Sequence, residues 1–279
     1  MASGEIGELK DLLVKGAEQV GVILNGDKIN KFFQYMDLLK EWNQKVNLTS
    51  IEGDRDIIIK HFIDSLSIYQ HILRYISDKN MPKTQEEKTE ARGEGPASNG
   101  EVQGTYEGMK QPVKLIDVGT GAGFPGIPLK IVCDELEVTL LDSLEKRVRF
   151  LEECIKSLKL SNINAVHGRA EDYGSNPLYR EKYDISTARA VAELPVLLEY
   201  CLPFVKTGGI FIAMKGRSAE EVDISRKALD ILGGEIELIS EITLPFTDNI
   251  RNIIVIKKFR QTDIKYPRKA GKPSKMPLK

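Results

Sequence analysis

Asp117, Gly119, Gly121, Gly123 and Gly126 stand together in the run Lys114-Leu-Ile-Asp-Val-Gly-Thr-Gly-Ala-Gly-Phe-Pro-Gly126. An apolar stretch, Val113 to Val118, breaks at the first of these glycines, and a helix-compatible segment starts at Pro125. Strand, glycine turn and helix start, in that order, present backbone N–H groups and the positive end of a helix dipole to a nucleotide-like ligand. Two spacings are superimposed here. Gly121-x-Gly123-x-x-Gly126 is the dinucleotide pattern, while Asp117-x-Gly119-x-Gly121-x-Gly123 is the pattern of S-adenosylmethionine (SAM) sites. The motif alone does not choose between them.

Other residues with chemical potential fall at the ends of later apolar runs. Asp142, followed by Ser143, closes the run Glu137–Leu141, where a carboxylate can accept both hydroxyls of an adenosine ribose; a nicotinamide enzyme uses an acid there too. Gly168-Arg-Ala-Glu-Asp172 follows the next run, and Ala170 and Glu171 there suit an adenine amino group. Arg189 ends the fourth run, at the sheet edge where ligands collect in open α/β folds. Lys215 and Arg251 end neighbouring runs and are candidates to neutralise RNA phosphates, although lone charges are as often simply solvated. His61 and Asp64 share a helical face; with no third ligand evident, no metal site is expected, and a polar anchor for the helical layer is the better reading. Trp42, on an amphipathic segment, reads as core more readily than as an RNA-stacking residue.

The elements that must carry these residues emerge from periodicity. The first 75 residues read as helical: Ile29, Phe32, Phe33, Met36 and Leu39 form one face, with Asp27 as a plausible N-cap, and Asp54 or Asp56 opens a further helix. Residues 1–76 are therefore a helical extension packed on the core. From 77 to 111 the chain turns polar and rich in Gly and Pro, as expected of a flexible insertion. Strands are expected at 113–118, 137–141, 164–167, 183–188, 209–214, 235–244 and 251–257. Helices are expected at about 125–133, 144–160, 194–204 and 220–232. Strands alternating with helices predict an α/β fold with a doubly wound parallel sheet over 112–258. The last two strands are joined by Pro245 to Ile250 alone, too short for a crossover, so they should pair antiparallel. This seven-stranded close, which ordinary dinucleotide dehydrogenases lack, favours SAM over NAD for the glycine turn. So does Lys206-Thr-Gly-Gly209 leading into an apolar strand.

Composition sets limits. A hydrophobic content of 41% and a charged content of 29% are those of an ordinary globular protein. No apolar run reaches a membrane span, the N-terminus has no signal-peptide core, and Cys133, Cys154 and Cys201 sit in apolar contexts as buried thiols. A cytoplasmic protein without a membrane or an obligate protein partner is expected. The net charge of −1 conceals a basic end: nine Lys or Arg against one acid, Asp263, from Lys257 to Lys279. Lys265, Arg268, Lys269 and Lys272, interleaved with Tyr266, Pro267 and Pro273, predict an extended phosphate-contacting strap over 259–279.

Longer stretches resemble one family. Glu41-Trp-Asn-Gln-Lys-Val-Asn-Leu-Thr-Ser50, His61-Phe-Ile-Asp-Ser-Leu66, Asp117 through Pro128, Leu141 through Leu151, Ala188-Arg-Ala-Val-Ala192 and Tyr266-Pro-Arg-Lys-Ala-Gly-Lys-Pro273 carry the resemblance. They are similar, in matching order, to the bacterial small-subunit (16S) rRNA guanine-N7 methyltransferases, also called glucose-inhibited division protein B. The insertion at 77–111 departs from the family's usual short connection. The resemblance implies a class I SAM-dependent methyltransferase, Rossmann-like, acting on 16S rRNA, a small ribosomal subunit or an assembly intermediate, at the guanine numbered 527 in that RNA. It places SAM against Asp117, Gly119, Gly121, Gly123 and Phe124, with Asp142 and Ser143 at the ribose and Ala170 and Glu171 at the adenine. Arg189 then lines both the cofactor and the substrate and positions the reactants, since N7 carries no proton and needs no general base. The competing readings are an NAD(P)-dependent oxidoreductase on the same glycine turn and a non-catalytic rRNA-binding or ribosome-assembly factor.

Overall fold

Seven strands form one mixed sheet in the order β3-β2-β1-β4-β5-β7-β6 in a computed structural model that describes residues 3–80, 112–216 and 219–279. The strands are β1 (Val113–Val118), β2 (Leu136–Asp142), β3 (Ile163–His167), β4 (Tyr183–Arg189), β5 (Val205–Lys215), β6 (Gly234–Thr243) and β7 (Ile250–Lys258). β1 to β5 pair in parallel, and β7 runs antiparallel between β5 and β6. All seven expected strands are present, and the terminal hairpin closes antiparallel as its short connection requires.

The central strands are buried on both faces, which is why they read as near-continuous apolar runs. Alternate residues then go to different cores. Ile210, Ile212 and Met214 of β5 and Ile253 and Val255 of β7 join the core beneath the N-terminal helices, whereas Phe211, Ala213, Ile254 and Ile256 join the core on the opposite face. The two edge strands differ. β6 alternates exposed and half-buried positions along most of its length, with one face against the protein and the other against water.

On the first face lie α1 (Ser3–Gln19), α2 (Gly26–Val46), a continuous helical run made of α3 (Asp54–Ile57), a π-helical turn (Ile58–Ile63) and α4 (Asp64–Leu66), then α5 (Tyr69–Asn80). The helices α6 (Gly126–Val132) and α7 (Glu145–Ser157) pack with them, and Phe32, Tyr35, Met36 and Leu39 of α2 are wholly buried there. Asn25, not Asp27, caps α2: its side chain accepts from the Lys28 backbone N–H at 2.9 Å, leaving Asp27 to pair with Lys31. Trp42, half-buried, packs its ring 5.8 Å from that of Phe150 against the core.

The opposite face carries α8 (Ala170–Ser175), α9 (Leu194–Cys201) with a 3-10 turn (Leu202–Phe204), α10 (Ala219–Ile224) and α11 (Arg226–Leu232). The helix expected over 220–232 is thus two helices broken at Ser225, and the short α8 has too few turns to show a period in the sequence. α5 continues to Asn80, past the expected boundary at 76; the polar stretch from 81 to 111 lies outside the described residues. After β7 the chain folds back over α8 and α9 to a last turn, α12 (Lys272–Lys275). No helix among the described residues is long and apolar enough to cross a membrane.

Candidate functional site

The parallel strands β1, β2 and β4 all end on one edge, and the glycine turn lies there between β1 and α6. Gly121 takes a positive φ of 62°, and a Cβ built on it would meet nothing within 4 Å, so its backbone faces open space. Gly126 has the opposite constraint: a side chain there would collide with Leu140 and with the Asp117 carboxylate, so it sets the close approach of α6 to the sheet. Asp117 is fully buried and holds the turn. Its Oδ2 accepts from Thr120 Oγ1 at 2.6 Å and from the Gly126 N–H at 2.8 Å. Its Oδ1 has no hydrogen-bond partner among the described residues. Burial pushes the Asp117 carboxyl up to about 6, and the two hydrogen bonds pull the other way. An acid so short of partners beside an open glycine backbone fits a cationic, nucleotide-sized ligand.

Asp142 meets that turn from β2. Its Oδ2 accepts from Gly121 N–H at 2.9 Å and its Oδ1 from Leu144 N–H at 2.9 Å, while Arg147 lies 3.5 Å from Oδ2. A carboxylate has about four acceptor positions, so capacity is left for a diol. Arg147 was invisible to strand-end reasoning, because it is positioned by the first turn of α7 and not by a strand. A cleft of about 200 Å³ runs from Gly119 past Ser143, Ala170 and Glu171, with Val191, Tyr200, Gly271 and Ser274 completing its walls. Gly119, Ser143, Ala170 and Glu171, all expected at the cofactor, are thus brought together, and Gly121 and Asp142 border them through their mutual hydrogen bond. Val191, Tyr200, Gly271 and Ser274 carried no motif signal.

Phe124 is elsewhere. Only 4% exposed, it stacks on His61 with ring centroids 4.4 Å apart, with the Arg189 guanidinium 4.9 Å from its centroid. Gly123 is likewise enclosed, its Cα facing the Tyr35 hydroxyl and Ile127. Both residues join the glycine turn to the helical layer.

Arg189, at the end of β4, is gripped by that layer. Nη1 donates to Asp64 Oδ2 at 3.0 Å and to the Lys60 carbonyl at 3.1 Å; Nη2 donates to His61 Nδ1 at 3.1 Å. Asp64 also takes Arg251 Nε on its Oδ1 at 2.9 Å. His61 Nε2 lies 2.8 Å from Thr49 Oγ1, so the ring donates there and accepts from Arg189. Desolvation, helped by the Arg189 charge, lowers the His61 pKa to about 3. The ring is neutral and both nitrogens are committed, which agrees with the expected polar anchor. Among the described residues no cluster has the makings of a metal site.

A second cleft, of about 310 Å³, opens beside these groups and is lined by Ile51, Lys60, His61, Asp64, Arg189, Ala190, Met214, Lys215, Gly216 and Arg251. Cations outnumber carboxylates on its wall. Ala190 faces this cleft and the next residue, Val191, faces the first, so the two clefts flank one turn at the end of β4.

Three residues expected at RNA already have protein partners. Arg268 is not an open phosphate ligand: its Nε and Nη2 grip the fully buried Glu199 at 2.9 and 2.6 Å. Lys215 pairs with Glu221 at 2.9 Å and donates to the Ala192 carbonyl at 2.8 Å. Arg251 is committed through Nε to Asp64, although its side chain remains 26% exposed. Lys265 pairs with Asp263 on the surface, and Lys269 and Lys272 are exposed. The cysteines are buried free thiols, and burial raises the pKa of each, so none is a ready nucleophile.

Known proteins match this sequence over nearly the whole chain. The family model for GidB, described as rRNA small subunit methyltransferase G, matches residues 28–79 and 102–254. A ribosomal RNA small subunit methyltransferase G from Acetivibrio thermocellus is 59% identical over 271 residues, covering 97% of each chain. The protein of the same name from Alkaliphilus oremlandii is 48% identical over 273 residues, 98% of this chain and all of the other. Among solved structures, M. jannaschii TYW2 in complex with AdoMet is 16% identical with a TM-score of 0.42, covering 54% of this chain and 70% of that one. The glycine turn, the antiparallel close of the sheet and the match along both the helical layer and the core have one reading: this chain belongs to the GidB family, the rRNA small subunit methyltransferases G.

Proposed function

We propose that this enzyme transfers the methyl group of SAM to N7 of a guanine in small-subunit rRNA, across the turn that separates the two clefts. The observation that carries the proposal is that Ala190 and Val191, consecutive residues, line different clefts at the end of β4. One cleft has Gly119 of the glycine turn, Ser143, Ala170 and Glu171 in its wall, with Gly121 and Asp142 bordering it, the set that suits an adenosine cofactor. The other has Arg189, Arg251 and Lys60, the set that suits a polyanion. SAM supplies an electrophilic methyl when bound.

The protein's own residues bind and align. Asp142 accepts from the ribose hydroxyls, Glu171 borders the adenine, and the Asp117 charge compensates the cationic end of the cofactor. Guanine N7 has a free lone pair and no proton to lose, so no general base is required. That matches a site whose histidine is neutral and hydrogen-bonded on both ring nitrogens. Holding N7, the methyl carbon and sulfur in line can supply about 7–11 kcal/mol of barrier reduction. Arg189 positions the acceptor: it is immobilised from four directions, by Lys60, His61, Asp64 and the face of Phe124. Exposed Lys269 and Lys272 on the folded tail meet phosphates of the same RNA, which calls for an accessible, unstacked guanine.

The test is transfer of labelled methyl from SAM to small-subunit rRNA, or to subunits that lack the modification, followed by nucleoside mass spectrometry. Label in 7-methylguanosine is expected. No transfer by active protein, together with NAD(H) binding in the glycine cleft, would overturn the reading.

A further inference from the structure

The basic C-terminal segment is fixed to the body by buried polar ties, beginning at the end of β7. Lys258, wholly buried, donates to the Leu202 carbonyl and to Thr262 Oγ1, each at 2.7 Å. Glu181 Oε1 accepts from Thr262 N–H at 2.9 Å, and Arg180 donates to the carbonyls of Thr262 and Tyr266, each at 2.6 Å. Arg268 then closes on Glu199, which is 0% exposed. Beyond that pair the chain reaches the cofactor cleft, where Gly271 N–H donates to Glu171 Oε1 at 2.8 Å and Gly271 and Ser274 stand in the wall.

We propose that residues 266–275 are a strap that forms one wall of the adenosine end of the cofactor site, with Gly271 and Ser274 as cofactor-contacting residues. The Arg268–Glu199 pair is the latch that positions them. This rests on placing SAM in that cleft.

Two observations carry the assignment. The wall residues lie about a hundred positions after Glu171 in the chain, yet one of them takes a Glu171 oxygen directly. The latch carboxylate has no access to water, so the ion pair fixes the strap and is no passing surface contact. A strap held in advance also spares the cofactor the entropic cost of ordering it, which is how a preformed wall raises affinity. The exposed lysines of the same segment leave its outer side for other contacts.

The experiment is calorimetric titration of full-length variants with SAM, alongside their thermal unfolding. Ser274→Trp introduces an indole at the cleft wall and gives up the hydroxyl's surface hydrogen bonds, to the Gly271 carbonyl and with Tyr200. At least about a tenfold loss of SAM affinity is expected, with an unchanged unfolding midpoint. Arg268→Ala should lose affinity similarly, and Arg268→Lys should recover part of it, since lysine keeps the charge without the bidentate fork. SAM should also slow trypsin cleavage after Lys269 and Lys275 in the wild-type chain. Gly121→Asp, run in parallel, separates the two ideas. If Gly121→Asp binds SAM normally, the cofactor is not in this cleft and both proposals fall. If Gly121→Asp loses binding while folded Ser274→Trp keeps wild-type affinity and SAM gives no protection from trypsin, the strap proposal alone is overturned.

Discussion

Arg189 at the end of β4 donates Nη1 to Asp64 Oδ2 at 3.0 Å, joining the sheet edge to a helical layer 125 residues earlier in the chain. Asp64 is 4% exposed and answers a second cation, Arg251 of β7, through its other oxygen. One carboxylate therefore balances two arginines on the wall of the second cleft. Its neighbour His61 completes the hold on Arg189 from a π-helical turn, an irregularity that is frequent at functional sites.

Asp64→Ala should be costly for this reason. It leaves two part-buried guanidinium groups without their common partner, and removing one member of a buried pair typically costs about 3–5 kcal/mol. Denaturant unfolding should show a loss near the lower end of that range, because Arg251 retains some contact with water. Methyl transfer should fall further than the loss of folded protein explains, since Arg189 is freed to move. Asp64→Asn, which keeps the shape and one acceptor, should lie between the alanine variant and the wild type in both measurements.

Gly121→Asp should abolish SAM binding and leave the fold in place. The new side chain enters space that no protein atom occupies, and its left-handed backbone, which aspartate tolerates better than most residues, costs about 1–2 kcal/mol in the empty protein. In the complex it occupies the cofactor's position. An unaltered circular dichroism spectrum with no calorimetric heat from SAM is the expected pair of results.

The buried His61 makes a pH prediction with a definite sign. Its pKa is lowered from 6.5 to about 3 in the folded state, so between those values the unfolded chain binds a proton that the native chain does not. Stability from this group is fully present above pH 6.5 and is lost as pH falls toward 3, with a limiting slope of about 1.4 kcal/mol per pH unit. His61→Gln should be flatter than the wild type across that window when unfolding free energy is plotted against pH. Parallel curves would show that His61 does not titrate in this way.

Lys269 and Lys272 should behave unlike Arg268, although all three stand in one basic run. The lysines are exposed, so Lys269→Ala and Lys272→Ala should leave the unfolding midpoint unchanged. Each should reduce the slope of log binding constant against log salt for rRNA by about 0.7, the value for one phosphate contact on a single strand. Arg268→Ala should lower the unfolding midpoint instead, because it strands the buried Glu199. Filter binding across a salt series and differential scanning calorimetry separate the two behaviours.

Local pattern was enough for the strands, the glycine turn, the placing of Asp142 and Arg189 at strand ends and that of Glu171 just after β3. Burial on both faces makes the strands continuous apolar runs, and a tight turn must be built from glycines whatever packs around it. The parallel sense of β1 to β5 and the antiparallel close were equally legible, because connection length decides them. The partners of these residues were not. Arg268 and Lys215 read as free cations because no local pattern announces that they pair with Glu199, 69 residues away, or with Glu221 in α10. Phe124 stands in the motif like a ligand contact, but α2 and the π-helical turn enclose it. The strap wall of the cofactor cleft exists only once residues 266–275 are laid beside Glu171. Sequence fixes a residue's type and its place along an element. Whether a charge meets water, an RNA phosphate or a buried carboxylate depends on which distant element packs against it, and only the tertiary structure decided that.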